Sequence, residues 1–279
     1  MKLLIELCNK DHLNYTCDGL ILALKDFSVE SFCYYDVEEI KEIKKKYKKE
    51  IFVKINKNLF NDDIDKIKKI LVELNNNVDG VFFYDLAILQ ICRELKLEIP
   101  LIWNQTHMVN NYKTCDYYYE KGVKYALLGK EITLDEIKEI INSSKIKCIV
   151  EVVSIPSVGH SYRSLITNYY NDLGKNGSDI LTVKEKVSDS FYKVFENSNG
   201  TSFYLDNIMN GTSIIKDLYE CYCPYIIFRE FGIDCFYELV NDTVEYINNK
   251  CLDNLYIDKY KKLGNSTNFF FKKTIYKVK

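Results

Sequence analysis

The sequence has no large excess of charge, and it lacks several motifs that would name a function directly. Its formal net charge is -2 and its pI is near 6.0, which argues against a protein that binds nucleic acid over its whole surface. It contains no HExxH, GxSxG, GxxxxGKS/T or GxGxxG motif. These absences exclude common zinc peptidase, serine hydrolase, P-loop and dinucleotide-binding patterns.

Long hydrophobic runs are also missing. Charged residues soon interrupt the N-terminal segment MKLLIELCNKDHLN, so this segment predicts a first strand and neither a signal peptide nor a membrane span. The ten cysteines are scattered, and Cys221 and Cys223 have no second pair at metal-ligand spacing. We therefore expect reduced thiols in a cytoplasmic protein. Because no low-complexity linker is present, we predict one domain over residues 1–279.

What the chain does have is a regular alternation of short apolar runs and amphipathic stretches, which is typical of repeated βα units. Apolar residues three and four positions apart predict helices over Val37–Tyr47 and Ile64–Leu74. Thr133 and Glu136 form a capping-box pattern, which predicts another helix start. The predicted strands are Lys2–Leu7, Gly19–Leu24, Ile51–Ile55, Asp79–Tyr84, Pro100–Trp103, Tyr125–Leu128, Lys147–Val153 and Tyr225–Phe228.

Eight strands with intervening helices predict an α/β fold of the TIM type, a (β/α)8 barrel, with an open doubly wound sheet as the alternative. The first crossover, Cys8–Asp18, is too short for a full helix. The gap between strands seven and eight, about seventy residues, exceeds an ordinary crossover. It predicts an insertion, an inserted subdomain at about 155–222, that covers one end of the barrel.

Reactive side chains of a TIM barrel collect where its strands end. Carboxylates there could act as general acids and bases or hold a cation, and the alternative is that they cap helices or pair with lysine and arginine. Of the three histidines, His160 after the seventh strand is favoured as a base over His107 and His12. The strand-end polar residues are Glu6, Lys54, Asn56, Asp85, Asn104 to His107, Glu131, Glu151, Ser154, Arg229 and Glu230.

The tail from Lys259 to Lys279 contains seven lysines and no acid, interleaved with aromatic residues. Such a segment could hold phosphates and stack bases. The alternative is a terminal strand with solvated lysines and one buried aromatic face.

The segment Val150–Gly174 runs from an apolar strand into glycine, histidine, hydroxyl, arginine and asparagine residues. It is one of several collinear segments in which the chain resembles the short branch of the collagenase-like peptidase family U32. Within it, Ser161-Tyr162-Arg163-Ser164 and Asn168-Tyr169 resemble a signature of that branch. The other segments are DGLILALKDFS at 18–28, VDGVFFYD at 78–85, GVKYALLGKEIT at 122–133, NGT at 199–201 and FKKTIYKVK at 271–279.

The resemblance implies a TIM barrel and places the chain beside proteins that form 5-hydroxyuridine at the tRNA wobble position. Many relatives bind an iron–sulfur cluster through cysteines in and after the glycine-histidine segment, but Ser157 to Asn168 contains no cysteine. Nothing in the spacing of Cys148, Cys221, Cys223 and Cys235 recommends them as substitutes. We therefore expect no cofactor and no metal.

The resemblance favours a role in tRNA hydroxylation, with tRNA and a longer family paralogue as possible partners and no membrane association. The alternatives are a collagenase-like peptidase and a non-catalytic partner of a longer paralogue. Strand ends and resemblance together predict catalytic roles for Glu131, Glu151, His160 and Tyr162. They predict substrate-binding roles for Asp85, Asn104, His107, Arg163, Asn168 and Arg229.

Overall fold

A computed structural model describes residues 1–105, 107–187, 190–251, 254–264, 266–267 and 269–272. Its strands are β1 Lys2–Glu6, β2 Gly19–Ala23, β3 Glu50–Ile55, β4 Gly80–Phe83, β5 Leu101–Trp103, β6 Tyr125–Leu127, β7 Lys147–Ser154, β8 Ser157–Ser161, β9 Ile180–Lys184, β10 Phe191–Asn197, β11 Gly200–Leu205, β12 Met209–Asn210 and β13 Tyr225–Arg229. Its α-helices are α1 Val37–Lys46, α2 Ile64–Leu74, α3 Leu86–Glu94, α4 Tyr112–Glu120, α5 Leu134–Ser143, α6 Leu165–Asp172, α7 Ile215–Glu220, α8 Phe236–Asn248 and α9 Asn254–Tyr260.

The strands β1 to β7 and β13 form a closed parallel barrel. Neighbouring strands pair in chain order from β1 to β7, and β13 closes the ring by pairing in parallel with both β7 and β1. This confirms the predicted TIM-type barrel, and all eight predicted strands lie within two residues of the observed ones. Closure excludes the open doubly wound alternative because an open sheet would leave two free edge strands.

Two apolar layers hold the barrel together. The larger lies between the strands and the surrounding helices, where one face of each helix is buried; Ile67, Leu71 and Leu74 of α2 are fully buried, for example. The smaller fills the barrel interior. It consists of Leu4, Ile21, Phe52, Phe82, Ile102, Leu127, Ile149, Tyr225 and Ile227.

The local predictions about crossovers are confirmed. Between β1 and β2 the chain forms only a short 3-10 turn, Lys10–His12. The Thr133 side chain accepts a hydrogen bond from the backbone N–H of Glu136, and the Glu136 side chain accepts one from the backbone N–H of Thr133. This capping box starts α5 after β6.

The insertion between β7 and β13 contains a second sheet. Its strands are antiparallel in the order β8-β11-β10-β9, and α6 packs against β10 and β11. The strand β12 returns to the barrel and pairs antiparallel with the end of β7. We call the four-stranded sheet with α6 the cap, because β8 lies over the carboxyl ends of the barrel strands.

The backbone geometry at Gly200, the first residue of β11 after the tight turn from β10, requires glycine. Its φ is +114°, and a Cβ atom there would lie 2.1 Å from the Ser161 carbonyl oxygen. Gly200→Ala is therefore expected to destabilise the protein by about 1–3 kcal/mol, because the strained residue must also push β8 away from β11. Thermal unfolding followed by circular dichroism measures this. The matched control is Gly122→Ala, where φ is +93° but no atom lies within 4 Å of the added carbon; an equal loss in both variants would contradict the role of the close contact.

Candidate functional site

A cavity of about 470 Å³ opens at the carboxyl end of the barrel, between the strand ends and β8 of the cap. This size is typical of a small-molecule or single-base site. Apolar residues such as Phe82 and Leu127 lie at its base. Its polar lining comprises Glu6, Glu30, Lys54, Asn56, Asn58, Asn104, His107, Lys130, Glu131, Glu151, Ser157, His160 and Arg229.

Strand alternation explains why charged side chains point into the barrel. Successive residues of a strand face opposite sides, so a residue two positions after an inward apolar residue also faces inward. Five barrel strands show this pattern where they supply a buried polar residue to the cavity. The pairs are Leu4 and Glu6, Phe52 and Lys54, Ile102 and Asn104, Ile149 and Glu151, and Ile227 and Arg229.

Glu6 lies at the centre of the buried charges. Its two carboxylate oxygens accept from Arg229, with Arg229 Nε 3.0 Å from Oε2 and Nη2 3.1 Å from Oε1. Oε1 also accepts from Lys54 Nζ at 2.5 Å and from Ser31 Oγ at 2.9 Å. Burial raises the pKa of Glu6, but the charges of Arg229 and Lys54 outweigh it and hold the pKa at about 2. Glu6 is therefore an anion whose oxygens are fully engaged, and it is not a proton donor at neutral pH.

Lys54 and Arg229 are held by more than Glu6. The Arg229 Nη2 donates to the Glu30 carbonyl oxygen at 2.6 Å, and Lys54 Nζ lies 3.3 Å from the same oxygen. Glu30 has a φ of +56°, in the left-handed backbone region, which is strained for a residue with a side chain. The two cations hold its carbonyl oxygen in this conformation. Burial lowers the pKa of Lys54, although the Glu6 carboxylate opposes the shift.

Glu151, predicted to be catalytic, forms a second buried ion pair. Its Oε1 lies 2.7 Å from Lys130 Nζ. Burial raises the pKa of Glu151, but the charges of Lys130 and Arg229 outweigh it, so its pKa is below the ordinary value. As an anion it can accept a proton or a hydrogen bond but not donate one.

His160, predicted to be catalytic, lines the cavity from β8, but hydrogen bonds engage both of its ring nitrogens. Nε2 lies 3.0 Å from the Asn199 carbonyl oxygen, which can only accept, so Nε2 carries the proton. Nδ1 then accepts from Ser202 Oγ at 2.9 Å. Burial also lowers the pKa of His160, which favours this neutral ring. In this arrangement His160 joins β8 to the turn before β11.

Tyr162 and Glu131, the other predicted catalytic residues, lie at the rim of the cavity. Tyr162 Oη accepts from the backbone N–H of Asn58 at 2.9 Å, and this bond ties the cap to the loop after β3. Burial raises the pKa of Tyr162, so its hydroxyl stays protonated at neutral pH. Glu131 is exposed at the start of the loop before α5. Its predicted role stays a prediction, as do those of Glu151, His160 and Tyr162.

The predicted substrate-binding residues separate into two groups. Asn104, His107 and Arg229 line the cavity. Asp85, Arg163 and Asn168 do not. Asp85 caps α3 by accepting from the backbone N–H of Ala87, and it also accepts from that of Leu59, each at 2.9 Å. Arg163 and Asn168 are exposed on the cap.

The predicted site did not include Glu6, Lys54 and Glu30, which line the cavity, or Ser31, whose hydroxyl donates to Glu6. Lys54 and Glu6 carry a usable signal, since each is a charge in the inward phase of a strand, two positions after an inward apolar residue. Glu30 and Ser31 carry none, because they lie in the irregular loop between β2 and α1. Only the fold shows that this loop reaches the cavity.

The cysteines do not converge on the cavity. Cys148, Cys221 and Cys223 lie at or before the starts of β7 and β13, at the opposite end of the barrel, whereas Cys235 follows β13. Among the described residues, no group of three or more histidine, cysteine, aspartate or glutamate side chains is placed to hold a metal ion. The thiols present therefore do not fit an iron–sulfur cluster at the cap, and no reaction step is assigned to one.

The lysine-rich tail lies partly outside the described residues, at 273–279. Within the described part, Lys259 ends α9 and pairs with Glu238 at 2.5 Å and Asp242 at 2.6 Å on α8. Phe270 is buried and Phe271 is exposed. Lys259 is thus held by acids of its own chain. Among the described helices, none is long and apolar enough to cross a membrane.

The fold and the cavity define a TIM barrel whose mouth is polar, ion-paired and covered by an inserted antiparallel sheet. The model of peptidase family U32 matches residues 8–179, which include β2 to β8 and α1 to α6. The chain belongs to this family, as its sequence segments indicated.

Two relatives come from Bacillus subtilis. The chain is 27% identical to tRNA hydroxylation protein P2 in an alignment of 289 positions, gaps included, that covers 92% of this chain and 89% of that protein. It is 22% identical to tRNA hydroxylation protein P1 over 162 residues, covering 56% of this chain and 38% of that protein. A third relative, an uncharacterized protease of Methanocaldococcus jannaschii, is 28% identical over 50% of this chain and 34% of its own length.

Proposed function

We propose that this protein is a factor for the 5-hydroxylation of the wobble uridine in tRNA. The observation that carries the proposal is the similarity to tRNA hydroxylation protein P2, which extends over 92% of this chain and 89% of that protein. A similarity of this extent covers both the barrel and the cap. The cavity therefore belongs to the shared region.

The cavity is compatible with this chemistry in size and lining. Its volume of about 470 Å³ suits one nucleobase, and its rim carries aromatic rings, including Tyr84 and Tyr162, on which a base can stack. The buried cations Lys54, Lys130 and Arg229 donate hydrogen bonds to acceptor atoms. A keto-substituted base in RNA is a ligand of this kind.

We further propose that the protein acts in the cytoplasm as one subunit beside a longer paralogue. In Bacillus subtilis the tRNA hydroxylation proteins P1 and P2 are both relatives of this chain. P1 is the longer of the two, since 162 aligned residues are only 38% of it, whereas 289 are 89% of P2. This chain is close to P2 in length, since one alignment covers 92% of this chain and 89% of P2, so its partner would be of the P1 type.

Deleting the gene is expected to abolish 5-hydroxyuridine derivatives in tRNA, because the barrel mouth would no longer be available to the modified uridine. The measurement is mass spectrometry of nucleosides from digested tRNA. A plasmid copy of the wild-type gene should restore these derivatives. A copy that carries Lys54→Ala should restore little of them, because it removes the buried cation that pairs with Glu6 in the cavity. An unchanged nucleoside profile in the deletion strain would contradict the proposal.

A peptidase is the second candidate, favoured by the family description and by the relative described as a protease. Among the described residues one serine hydroxyl lies beside a histidine, with Ser202 Oγ 2.9 Å from His160 Nδ1. Ser202 is buried in β11 and does not line the cavity, so it is poorly placed for attack on a peptide. Incubating the purified protein with gelatin and peptides across divalent metals tests this candidate, and activity that disappears in Ser202→Ala would favour it.

A non-catalytic partner is the third candidate. In this case the protein would co-purify with a longer paralogue and show no activity alone, while the nucleoside profile of the deletion strain would still change. A catalytic defect in cavity variants that keep the partner bound would count against it.

A further inference from the structure

Asn104 carries a carboxamide that no described residue satisfies. Its backbone N–H donates to the Phe83 carbonyl oxygen at 2.9 Å, which fixes the residue directly after β5. The side chain is 8% exposed and lines the cavity, and no described group forms a hydrogen bond with its amide. Because this largely buried amide borders the cavity and has no hydrogen-bond partner among the described residues, it is placed for a ligand that offers both an acceptor and a donor.

The charges on the cavity wall limit what can lie beside Asn104. Lysine and arginine only donate hydrogen bonds, and Lys54, Lys130 and Arg229 all line this cavity. The oxygens of Glu6 are already taken by Arg229, Lys54 and Ser31. Ligand atoms facing these three cations must therefore be acceptors such as carbonyl oxygens. The carboxylates of Glu30, Glu131 and Glu151, which also line the cavity, accept hydrogen bonds instead.

The rim favours a planar ligand. Tyr162 stands edge-on to His160, with ring centroids 5.2 Å apart, and its hydroxyl is fixed by the backbone N–H of Asn58. Tyr84, after β4, lines the same cavity. A flat ring that enters between these side chains would lie in the cavity that Asn104 also lines.

We propose that the Asn104 carboxamide recognises the imide edge of an extruded uracil base, N3–H together with a neighbouring carbonyl. An asparagine amide pairs in this two-bond manner because its oxygen accepts while its nitrogen donates. The base must leave its stack, because Asn104 lines a cavity at the barrel mouth that a base stacked within a helix cannot enter. Cytosine carries an amino group where uracil has a carbonyl oxygen, so a base held with that position toward Lys54, Lys130 or Arg229 would lose a hydrogen bond there. This inference rests on the proposed function and names the residue that reads the base.

The test measures binding of the full-length protein to three stem-loop RNAs by fluorescence anisotropy at one fixed salt concentration. The loops are identical except for one position, which carries uridine, 3-methyluridine or cytidine. Methylation at N3 removes the donor and keeps the ring and both carbonyls. Wild-type protein is expected to bind the uridine RNA roughly 5- to 150-fold more tightly than the 3-methyluridine RNA, the range for one good two-bond base contact.

Asn104→Leu keeps the size of the side chain and removes its hydrogen bonds. It is expected to bring the ratio of uridine to 3-methyluridine affinity close to one, with the affinity for the 3-methyluridine RNA little changed. Asn142→Leu, exposed on α5 and outside the cavity, is the matched control and should keep the wild-type ratio.

Equal affinity of wild-type protein for the uridine and 3-methyluridine RNAs would overturn the inference and leave the proposed function standing. This comparison needs no variant, so it holds even if Asn104→Leu folds poorly. Absence of binding to all three RNAs would also overturn it. The nucleoside profile of the deletion strain decides the proposed function separately.

Discussion

Glu6→Gln is expected to lower the free energy of unfolding by about 3–5 kcal/mol. The substitution leaves Lys54 and Arg229 buried beside a neutral amide, and an unpaired buried charge is among the most destabilising changes known for a single side chain. Denaturant unfolding at neutral pH measures the effect. The matched control is Glu238→Gln, which removes an exposed ion pair with Lys259 and should cost no more than about 1 kcal/mol.

The effect of Glu6→Gln should also depend on pH. The pKa of Glu6 is held at about 2, below its ordinary value of 4.5, by Arg229 and Lys54 against the effect of burial. A carboxylate with a depressed pKa stabilises the folded state above its unfolded pKa, and this contribution is lost as the pH falls through the folded pKa. The difference in stability between wild type and variant should therefore be full at neutral pH and shrink below about pH 4.5. A difference that stays constant down to about pH 3 would contradict the role of the Glu6 charge.

Phe52→Ala is expected to cost about 3–5 kcal/mol of unfolding free energy, because it leaves a cavity in the closed barrel interior. Phe52 is 1% exposed, and its ring stands edge-on to Phe82 and Tyr225 at centroid distances of 6.0 and 5.7 Å. Lys54 lies two positions further along the same face of β3, so the loss should also loosen the base of the functional cavity.

Chemical denaturation measures the loss for Phe52→Ala, and binding of the stem-loop RNAs reports on the cavity. Val72→Ala is a suitable control, since Val72 is exposed on α2 and its truncation should change stability by less than about 1 kcal/mol. If the two variants lost the same unfolding free energy, the expected contribution of the barrel interior to stability would be contradicted.

Strand and helix positions could be predicted from the sequence because their signals are local. Apolar alternation and spacing located all eight barrel strands, and the capping residues Thr133 and Glu136 located the start of α5. Their number and order also led to the barrel, since repeated βα units close in few ways. Buried strand-end residues such as Asn104, Glu151 and Arg229 were found for the same reason.

The local signal could not separate a cavity residue from a structural one. Asp85 follows the apolar strand β4 and Glu151 lies near the end of β7, yet Asp85 caps a helix and Glu151 pairs with Lys130 in the cavity. His160 follows the seventh strand, the position that predicted a catalytic base. Its ring nitrogens form hydrogen bonds with Ser202 and with the Asn199 carbonyl oxygen, and both partners lie about forty residues after His160 in the sequence. These outcomes depend on partners that sequence spacing does not reveal.

The sequence by itself determined the order of the elements, the inward phase of each strand and the membership of a family, because periodicity and motif order are properties of neighbouring residues. Only the tertiary structure decided which charges meet. Glu6 and Arg229 are 223 positions apart and become neighbours because β13 closes the barrel beside β1. Pairing across that closure neutralises the buried charges, and it leaves Asn104 as a buried amide open to a ligand.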